Sequence, residues 1–120
     1  MNIFDNELER LDFEDFIWVI FIILSLLNIF GDNLLKEFIK NKDKTDEVYA
    51  NKIFFFVLII SLFIYIYFFI RNLNAYNKVN EEEKQLFLIK LIGSSLLIAG
   101  ICCLIYFQYK NTDFIGAPVI

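Results

Sequence analysis

A line of polar side chains runs along the first apolar segment of this chain, and we call it the polar stripe. Four residues, spaced by three, four and four positions, share one face of a helix: Ser25, Asn28, Asp32 and Lys36. Glu14 and Trp18 extend the same face upstream. A polar face on a helix in a membrane is expected to point towards protein or water rather than lipid.

The polar stripe is compatible with two kinds of chemistry. In the first, it lines a wet pathway or a step in a proton relay, with Asp32 as the titrating group. In the second, Ser25 and Asn28 form hydrogen bonds to a neighbouring helix, and Asp32 and Lys36 already lie at the membrane surface. We favour the second, because Asp32 lies at the end of the apolar run and Lys36, one turn further on, can neutralise it.

A second pattern consists of small residues in the last apolar segment, and we call it the small-residue face. Its members repeat at four-residue spacing or lie alongside that repeat: Gly93, Ser95, Ala99, Gly100 and Cys103. Small side chains let two helix backbones approach closely, which is how helices associate in lipid. The pattern predicts a contact face but leaves open whether its partner is another helix of this chain or another protein.

The sequence offers little for catalysis. Histidine, the commonest general base and metal ligand, is absent. Cys102 and Cys103 are adjacent in an apolar run, where we interpret them as small residues of a helix interface, with lipidation or redox use as the alternative. The chain contains no phosphate-binding loop, dinucleotide fingerprint, catalytic triad or zinc motif. We therefore expect no enzymatic activity, no cofactor, no metal and no nucleic-acid partner.

Three apolar runs supply the elements that must carry these residues. They cover residues 16–30, 53–70 and 91–107, and hydrophobic residues make up 58% of the chain, against roughly 45–50% in ordinary soluble domains. A membrane-spanning helix needs about 20 apolar residues, with a range of about 17–25. The second and third runs are long enough, whereas the first must use its flanks, so we expect the first helix to be the one most shielded from lipid by protein.

Capping residues predict where the helices begin. Asn80 followed by Glu81, Glu82 and Glu83 is typical of an N-cap and an acidic first turn, and 45–47 and 12–15 suggest similar starts for the other two helices. The expected helices cover about 12–43, 46–79 and 81–109 of a single membrane domain, residues 1–120. Each extends beyond the bilayer, and short polar connections make neighbouring helices antiparallel.

The second helix and the two tails carry further candidate features. Aromatic residues at both ends of the second helix, 54–56 and 65–69, indicate packing and lipid contact, with a ligand or quinone site as the less favoured alternative. The N-tail has Phe4, Leu8 and Leu11 on one face of a possible short helix, which suggests docking onto a protein. The C-tail, residues 111–120, is expected to be extended and held by a partner.

The predicted fold is therefore all-α: an integral membrane protein with three transmembrane helices in a small antiparallel bundle. Its basic residues discriminate weakly between orientations, but one before the first helix and five after it favour an outside N-tail and a cytoplasmic C-tail. The leading hypothesis is a structural or accessory subunit of a larger membrane complex or of a membrane-containing, possibly viral, particle. The alternative is a homo-oligomeric channel or small transporter that uses Ser25, Asn28 and Asp32. Expected partners are the lipid bilayer and other membrane-protein subunits, or further copies of the chain.

Overall fold

The structure, a computed structural model, describes the backbone of residues 3–110 and the side chains of residues 6–110. Three α-helices occupy nearly all of this range: α1 (Ile3–Asn41), α2 (Lys44–Lys78) and α3 (Glu81–Lys110). All three are long and apolar enough to cross a membrane. The predicted all-α membrane architecture is thus confirmed, while the prediction for the C-tail concerns residues outside the described range.

Helix α1 begins at Ile3, so the expected start near residue 12 was wrong. Asp12 and Asp15 are not caps but lie within a continuous helix. The first turns contain side-chain pairs at helical spacing: Arg10 Nη2 donates to Glu7 Oε2 at 2.8 Å, and Arg10 Nε lies 3.9 Å from Glu14 Oε2. Such pairs support a helix that has no proline or glycine to interrupt it before Gly31.

The connection between α1 and α2 is a tight turn. Lys42 has a left-handed backbone with φ 59°, and its N–H donates to Phe38 O at 2.6 Å, which closes the end of α1. Asp43 is the N-cap of α2, because its carboxylate accepts from Thr45 N–H at 3.0 Å. Helix α2 therefore begins at Lys44 rather than at residue 46, and the acidic pair Asp46 and Glu47 lies in its first turn.

The start of α3 agrees with the expectation. Asn80 Oδ1 accepts from the backbone N–H of Glu83 at 3.2 Å, and Glu81, Glu82 and Glu83 form the first turn. The carboxylates lie at the positive end of the helix dipole. This pattern of an amide cap and three acids is the clearest helix start in the sequence.

The three helices lie side by side in an antiparallel row with α2 in the middle. Helix α2 packs against both neighbours, whereas no Cα of α1 comes within 8 Å of a Cα of α3 in the described range. The molecule measures 59 × 27 × 15 Å, so across the helix axes it is wider than it is thick. Within the chain, α2 has the largest buried share and α3 the smallest. The shielding of α1 expected from the sequence is therefore not provided by this chain alone, and its shielding by partner proteins stays a prediction.

Both outer helices contact α2 through residues spaced alternately by three and four. On α1 the buried and half-buried positions include Glu14, Ile17, Phe21, Leu24, Asn28, Gly31, Leu35 and Phe38, which follow this spacing. On α3 the positions with this spacing are Phe87, Leu91, Ser94, Ile98, Ile101, Ile105 and Gln108. This repeat of seven is the one by which helices pack at a small crossing angle with interlocking side chains.

The contact between α1 and α2 contains two apolar clusters. Ile17 and Leu24 of α1 pack with Val57 and Ile64 of α2 in the first. The second, at the other end of the helices, is formed by Leu35, Ala50 and Phe54. Because residues early in α1 meet residues late in α2, the two helices are antiparallel.

Gly31 allows the closest approach in this contact. A Cβ at this position would lie 2.5 Å from Cε1 of Phe54, whose side chain is fully buried. Glycine is therefore the residue that lets the Phe54 ring pack directly on the α1 backbone. The helix continues through Gly31 and Asp32 without a break.

Candidate functional site

The most concentrated polar site in the described residues is a buried ion pair between α1 and α2. Arg71 Nη1 donates to Glu14 Oε1 at 2.9 Å, and Tyr67 Oη donates to Glu14 Oε2 at 3.3 Å. The Glu14 side chain is only 7% exposed, whereas that of Arg71 is 25% exposed. A buried carboxylate needs such partners, because an unpaired charge away from water is strongly unfavourable.

Arg71 extends this contact to the third helix. Its Nε and Nη2 donate to Asn72 Oδ1 at 3.3 and 3.0 Å, and Asn72 Nδ2 donates in turn to Ser94 Oγ on α3. Ser94 Oγ also donates to Lys90 O, one turn back, at 3.1 Å. One series of hydrogen bonds therefore connects α1, α2 and α3, although within the described range no Cα of α1 lies within 8 Å of a Cα of α3.

The hydrogen-bonded series from Glu14 to Ser94, which we call the polar chain, lies at a definite depth along the three helices. Glu14 lies just before the apolar run 16–30, Arg71 directly follows the run 53–70, and Ser94 lies near the start of the run 91–107. The polar chain therefore lies at one edge of the apolar band formed by the three helices. This is the depth at which polar headgroups replace hydrocarbon in a bilayer.

Aromatic rings surround the guanidinium at this edge. The Arg71 guanidinium carbon lies 4.8 Å from the centre of the Phe68 ring, a cation–π contact. The Phe68 ring lies 5.6 Å from Trp18, and Trp18 lies 5.5 Å from Phe21. Trp18 is 54% exposed, as expected for a tryptophan at a membrane–water boundary.

A groove of about 480 Å³ opens beside the guanidinium, on one face of the row of helices. We call it the Arg71 groove, and all three helices line it: Trp18, Phe21, Tyr65, Phe68, Arg71, Asn72, Ser94 and Leu97. Its polar groups are clustered around Arg71, and its apolar walls continue towards the middle of the band. The groove thus has one polar and one hydrophobic end.

A second polar contact marks the other edge of the band. Gln108 Nε2 donates to Asn51 Oδ1 at 3.2 Å, and these residues directly flank the apolar runs of α3 and α2. Asn51 and Arg71 are 20 residues apart on α2, which corresponds to about 30 Å of helix, the thickness of a bilayer's hydrocarbon core. The two polar contacts therefore lie about one hydrocarbon thickness apart.

A second groove, of about 570 Å³, lies next to Asn51 and Gln108 and includes Phe55 and Ile59. Ile59 and Phe68 of α2 are nine residues apart, which is about half a turn of relative rotation at 3.6 residues per turn. The two grooves therefore open on opposite faces of the row of helices. We call this one the Ile59 groove.

Comparison with known proteins adds no relative. No family model, no curated protein and no solved structure matches this chain. The chemistry of the site must therefore be inferred from its residues alone.

The structure does not bring the predicted polar stripe together as one site. Asn28 and Asp32 are half-buried towards α2, whereas Ser25 and Lys36 are exposed. Asn28 Oδ1 is buried without a hydrogen-bond partner among the described residues. Of the two upstream members, Glu14 is buried in the ion pair, while Trp18 lies at the rim of the Arg71 groove.

The predicted small-residue face points away from α2. Its five members, Gly93, Ser95, Ala99, Gly100 and Cys103, are all exposed. A Cβ added at Gly93 or Gly100 would meet no atom within 4 Å. Ser95 Oγ donates only to Leu91 O, within its own helix, at 3.1 Å. The prediction that these residues contact a partner concerns surfaces beyond this chain and stays a prediction.

Sequence analysis missed the Glu14–Arg71 pair as a unit. Arg71 was not singled out in the sequence, and Glu14 was noted only as an extension of the polar stripe. The spacing of Glu14, Ile17, Phe21 and Leu24 by three and four residues was the available signal. It places Glu14 on the α2 side of α1 together with large apolar residues, where a carboxylate requires a cation.

The groups at this site can bind a ligand through hydrogen bonds and apolar contact. It combines a partly exposed guanidinium, two amide or hydroxyl groups and aromatic walls. Among residues 6–110 there is no group of three or more metal-ligating side chains. The arrangement can hold the helices together and can offer hydrogen bonds to an anion at the edge of the apolar band.

Proposed function

We propose that this chain is a non-catalytic membrane subunit, a structural or accessory component of a larger membrane complex or of a membrane-containing particle, including a viral one. It acts by presenting the outer side of α3 to another membrane protein or to a further copy of itself. The observation that carries this proposal is the exposure of the small-residue face, where Gly93 and Gly100 have open space around them.

The packing of α3 supports an external partner. Its contact with α2 uses mainly larger side chains, such as Leu91, Ile98 and Ile101, and leaves the small ones on the other side. In lipid, burial of apolar surface gives little driving force for helix association, so close backbone contact at small residues becomes important. A small-residue face without an intramolecular use is therefore best accounted for by a second helix from elsewhere.

The same proposal covers orientation and cofactors. We propose an outside N-tail and a cytoplasmic C-tail, supported by one basic residue before the first apolar run and five between the first and second. The proposed function requires no cofactor, no metal and no nucleic acid. Cys102 and Cys103 both lie within the band, so the test of orientation uses a membrane-impermeant thiol reagent on a single cysteine introduced in place of Lys110 or of Asn6.

The adjacent cysteines offer a matched test of the small-residue face. Both side chains are exposed, and they differ by about 100° around the helix axis. Cys103→Phe adds bulk at the centre of the face, opposite α2, and Cys102→Phe adds the same bulk at its edge, in line with Ser95. We expect a partner that co-purifies in mild detergent from the native membrane to be lost with Cys103→Phe and retained with Cys102→Phe.

Two results of this experiment would contradict the proposal. One is a wild-type chain that runs alone as a monomer, with no stoichiometric partner and no second copy. The other is equal retention of the partner by both variants, which would place the contact elsewhere. Helical circular dichroism of each purified variant verifies that the comparison concerns folded protein.

A homo-oligomeric channel or small transporter is the second candidate, favoured by one observation. Asn28 Oδ1 lacks a hydrogen-bond partner among residues 6–110, and the half-buried Asp32 lies one turn away. In a shared pore, Ser25, Asn28 and Asp32 would face water. Ion flux in liposomes tests this role, and a flux that is unchanged by Asp32→Leu would exclude the polar stripe as the pathway.

A further inference from the structure

We propose that the Arg71 groove binds a glycerophospholipid, with the phosphate on the Arg71 guanidinium and the upper part of one acyl chain along Phe21 and Leu97. This inference goes beyond the proposed function and does not depend on it, because lipid binding needs no protein partner. It rests on three features of the groove. The Arg71 guanidinium has free N–H donors, it lies at the depth of lipid phosphates, and the lining changes from polar at Arg71 to apolar towards the middle of the band.

The Arg71 guanidinium has N–H groups that are not used in hydrogen bonds to the described residues. Arginine carries five N–H groups. Three are used in hydrogen bonds to Glu14 and Asn72. In the part of the chain that the structure describes, the remaining two have no protein acceptor, and the 25% exposure of the side chain leaves them accessible from the groove. A planar guanidinium with two free N–H groups matches the oxygens of a phosphate.

The depth of Arg71 matches that of a lipid phosphate. Arg71 directly follows the uncharged run 53–70, and the polar chain that it organises lies at the edge of the apolar band. Tyr65, six residues earlier on α2, lies about 9 Å deeper at 1.5 Å per residue. A phospholipid has the same order of chemistry along its length, with phosphate at the surface and hydrocarbon below.

The shape of the groove also suits a lipid rather than a soluble ligand. It is open on one side of the row of helices, so a lipid can enter sideways from the bilayer. Its volume of about 480 Å³ holds a phosphoglycerol unit and the first part of a chain, not a whole lipid. The exposed Trp18 ring forms one wall at headgroup depth, where an indole is favourably placed.

The local charge predicts which part of the lipid is recognised. Arg71 and Arg10 are balanced by Glu14 and Glu7, so the site has no excess of positive charge. Selection should therefore follow the phosphate group and not the net charge of the headgroup. We expect a zwitterionic and an anionic phospholipid to bind similarly, and a glycolipid with the same acyl chains but no phosphate to bind weakly.

The test is native mass spectrometry of the full chain with defined lipids. The purified protein is delipidated and mixed with phosphatidylethanolamine, phosphatidylglycerol or diglucosyl diacylglycerol of identical acyl chains. We expect one tightly held phospholipid per chain and about tenfold weaker retention of the glycolipid, the effect of losing one charge-assisted hydrogen bond. Equal retention of the glycolipid would overturn the proposal.

Two matched variants locate the binding site. Leu97→Trp adds bulk to a wall of the Arg71 groove without touching the ion pair, and Ile59→Trp adds similar bulk to the Ile59 groove on the opposite face. We expect Leu97→Trp to reduce phospholipid retention about tenfold and Ile59→Trp to leave it unchanged. The reverse pattern, or equal retention by both variants, would show that the lipid binds elsewhere.

One further measurement distinguishes a lipid site from a simple anion site. An excess of inorganic phosphate is expected not to displace the lipid, because the acyl chain contributes binding that a free anion lacks. Displacement of the lipid by phosphate would show that the site binds a simple anion and would overturn the lipid assignment. If Leu97→Trp does not fold, the comparison of the three lipids on the wild-type chain still decides the proposal.

Discussion

Glu14 of α1 and Arg71 of α2 are 57 positions apart in the chain, yet 2.9 Å separates Glu14 Oε1 from Arg71 Nη1. The pair fixes the relative height of the two helices, because each residue lies at the end of its own apolar run. Through Asn72 and Ser94 the same guanidinium also determines the height of α3. A single arginine thus aligns all three helices at one edge of the apolar band.

Removal of Arg71 should be far more costly than removal of Arg10. Arg71→Ala leaves the Glu14 carboxylate buried without its main partner, so we expect a loss of about 3 kcal/mol in the free energy of unfolding. Arg10→Ala removes an exposed guanidinium 3.9 Å from the same carboxylate and should cost less than about 1 kcal/mol. Reversible unfolding in mixed micelles measures both variants. Equal losses would contradict the central role of Arg71.

Gly31→Ala should destabilise the contact between α1 and α2. The new Cβ would lie 2.5 Å from Phe54 Cε1, so we expect a loss of about 1–3 kcal/mol from overpacking. Gly93→Ala is the matched control, because its Cβ would point into open space. There, the better helix propensity of alanine should leave stability unchanged or raise it by up to about 1 kcal/mol. A double variant with Phe54→Leu should recover part of the loss at Gly31.

Replacement by alanine at two buried serines should change the free energy of unfolding in opposite directions. Ser61 Oγ is fully buried and has no hydrogen-bond partner among the described residues, so Ser61→Ala should raise the free energy of unfolding by about 1 kcal/mol. Ser94 Oγ accepts from Asn72, so Ser94→Ala should lower it by about 0.6 kcal/mol, the average for hydrogen bonds between membrane helices. A destabilising Ser61→Ala would indicate that this hydroxyl has a partner in the membrane.

The turn between α1 and α2 can be improved. Lys42 has φ 59°, a left-handed conformation that is unfavourable for a residue with a side chain. Lys42→Gly should therefore stabilise the protein by about 0.5–1 kcal/mol. Lys40→Gly, within the last turn of α1, should instead cost about 1 kcal/mol. Thermal unfolding of the two variants, with Tm values moving in opposite directions, checks this pair.

The sequence was sufficient to predict the elements but not their faces. Uncharged runs and the Asn80 cap located the helices, since lipid leaves the backbone no alternative to helical hydrogen bonding. The faces by which the helices contact each other were misjudged, because the prediction used the size and polarity of residues rather than their spacing. Ser95 and Ala99 attracted attention as small residues, whereas Ser94 and Ile101, which actually meet α2, belong to a repeat of seven shared with large apolar residues.

Two features of the site had no sequence signal of their own. The Arg71–Glu14 contact depends on how two helices align, and local sequence does not specify that alignment. The Arg71 groove depends on a gap between α1 and α3, which exists only because both helices pack on α2 and not on each other. The expected small antiparallel bundle therefore takes the form of a flat row. This arrangement results from how the helices pack on one another and is not encoded in any one helix.

The central position of α2 has a consequence for biogenesis. All contacts of α1 within the described chain are with α2, including the Glu14–Arg71 pair, so this hairpin can finish its packing while α3 is still being synthesised. Helix α3 then docks onto the free side of a preformed hairpin, guided by Asn72 at one end and Asn51 at the other. Insertion into the membrane can follow the order of translation, because the Glu14 carboxylate is neutralised as soon as α2 is complete and does not depend on α3.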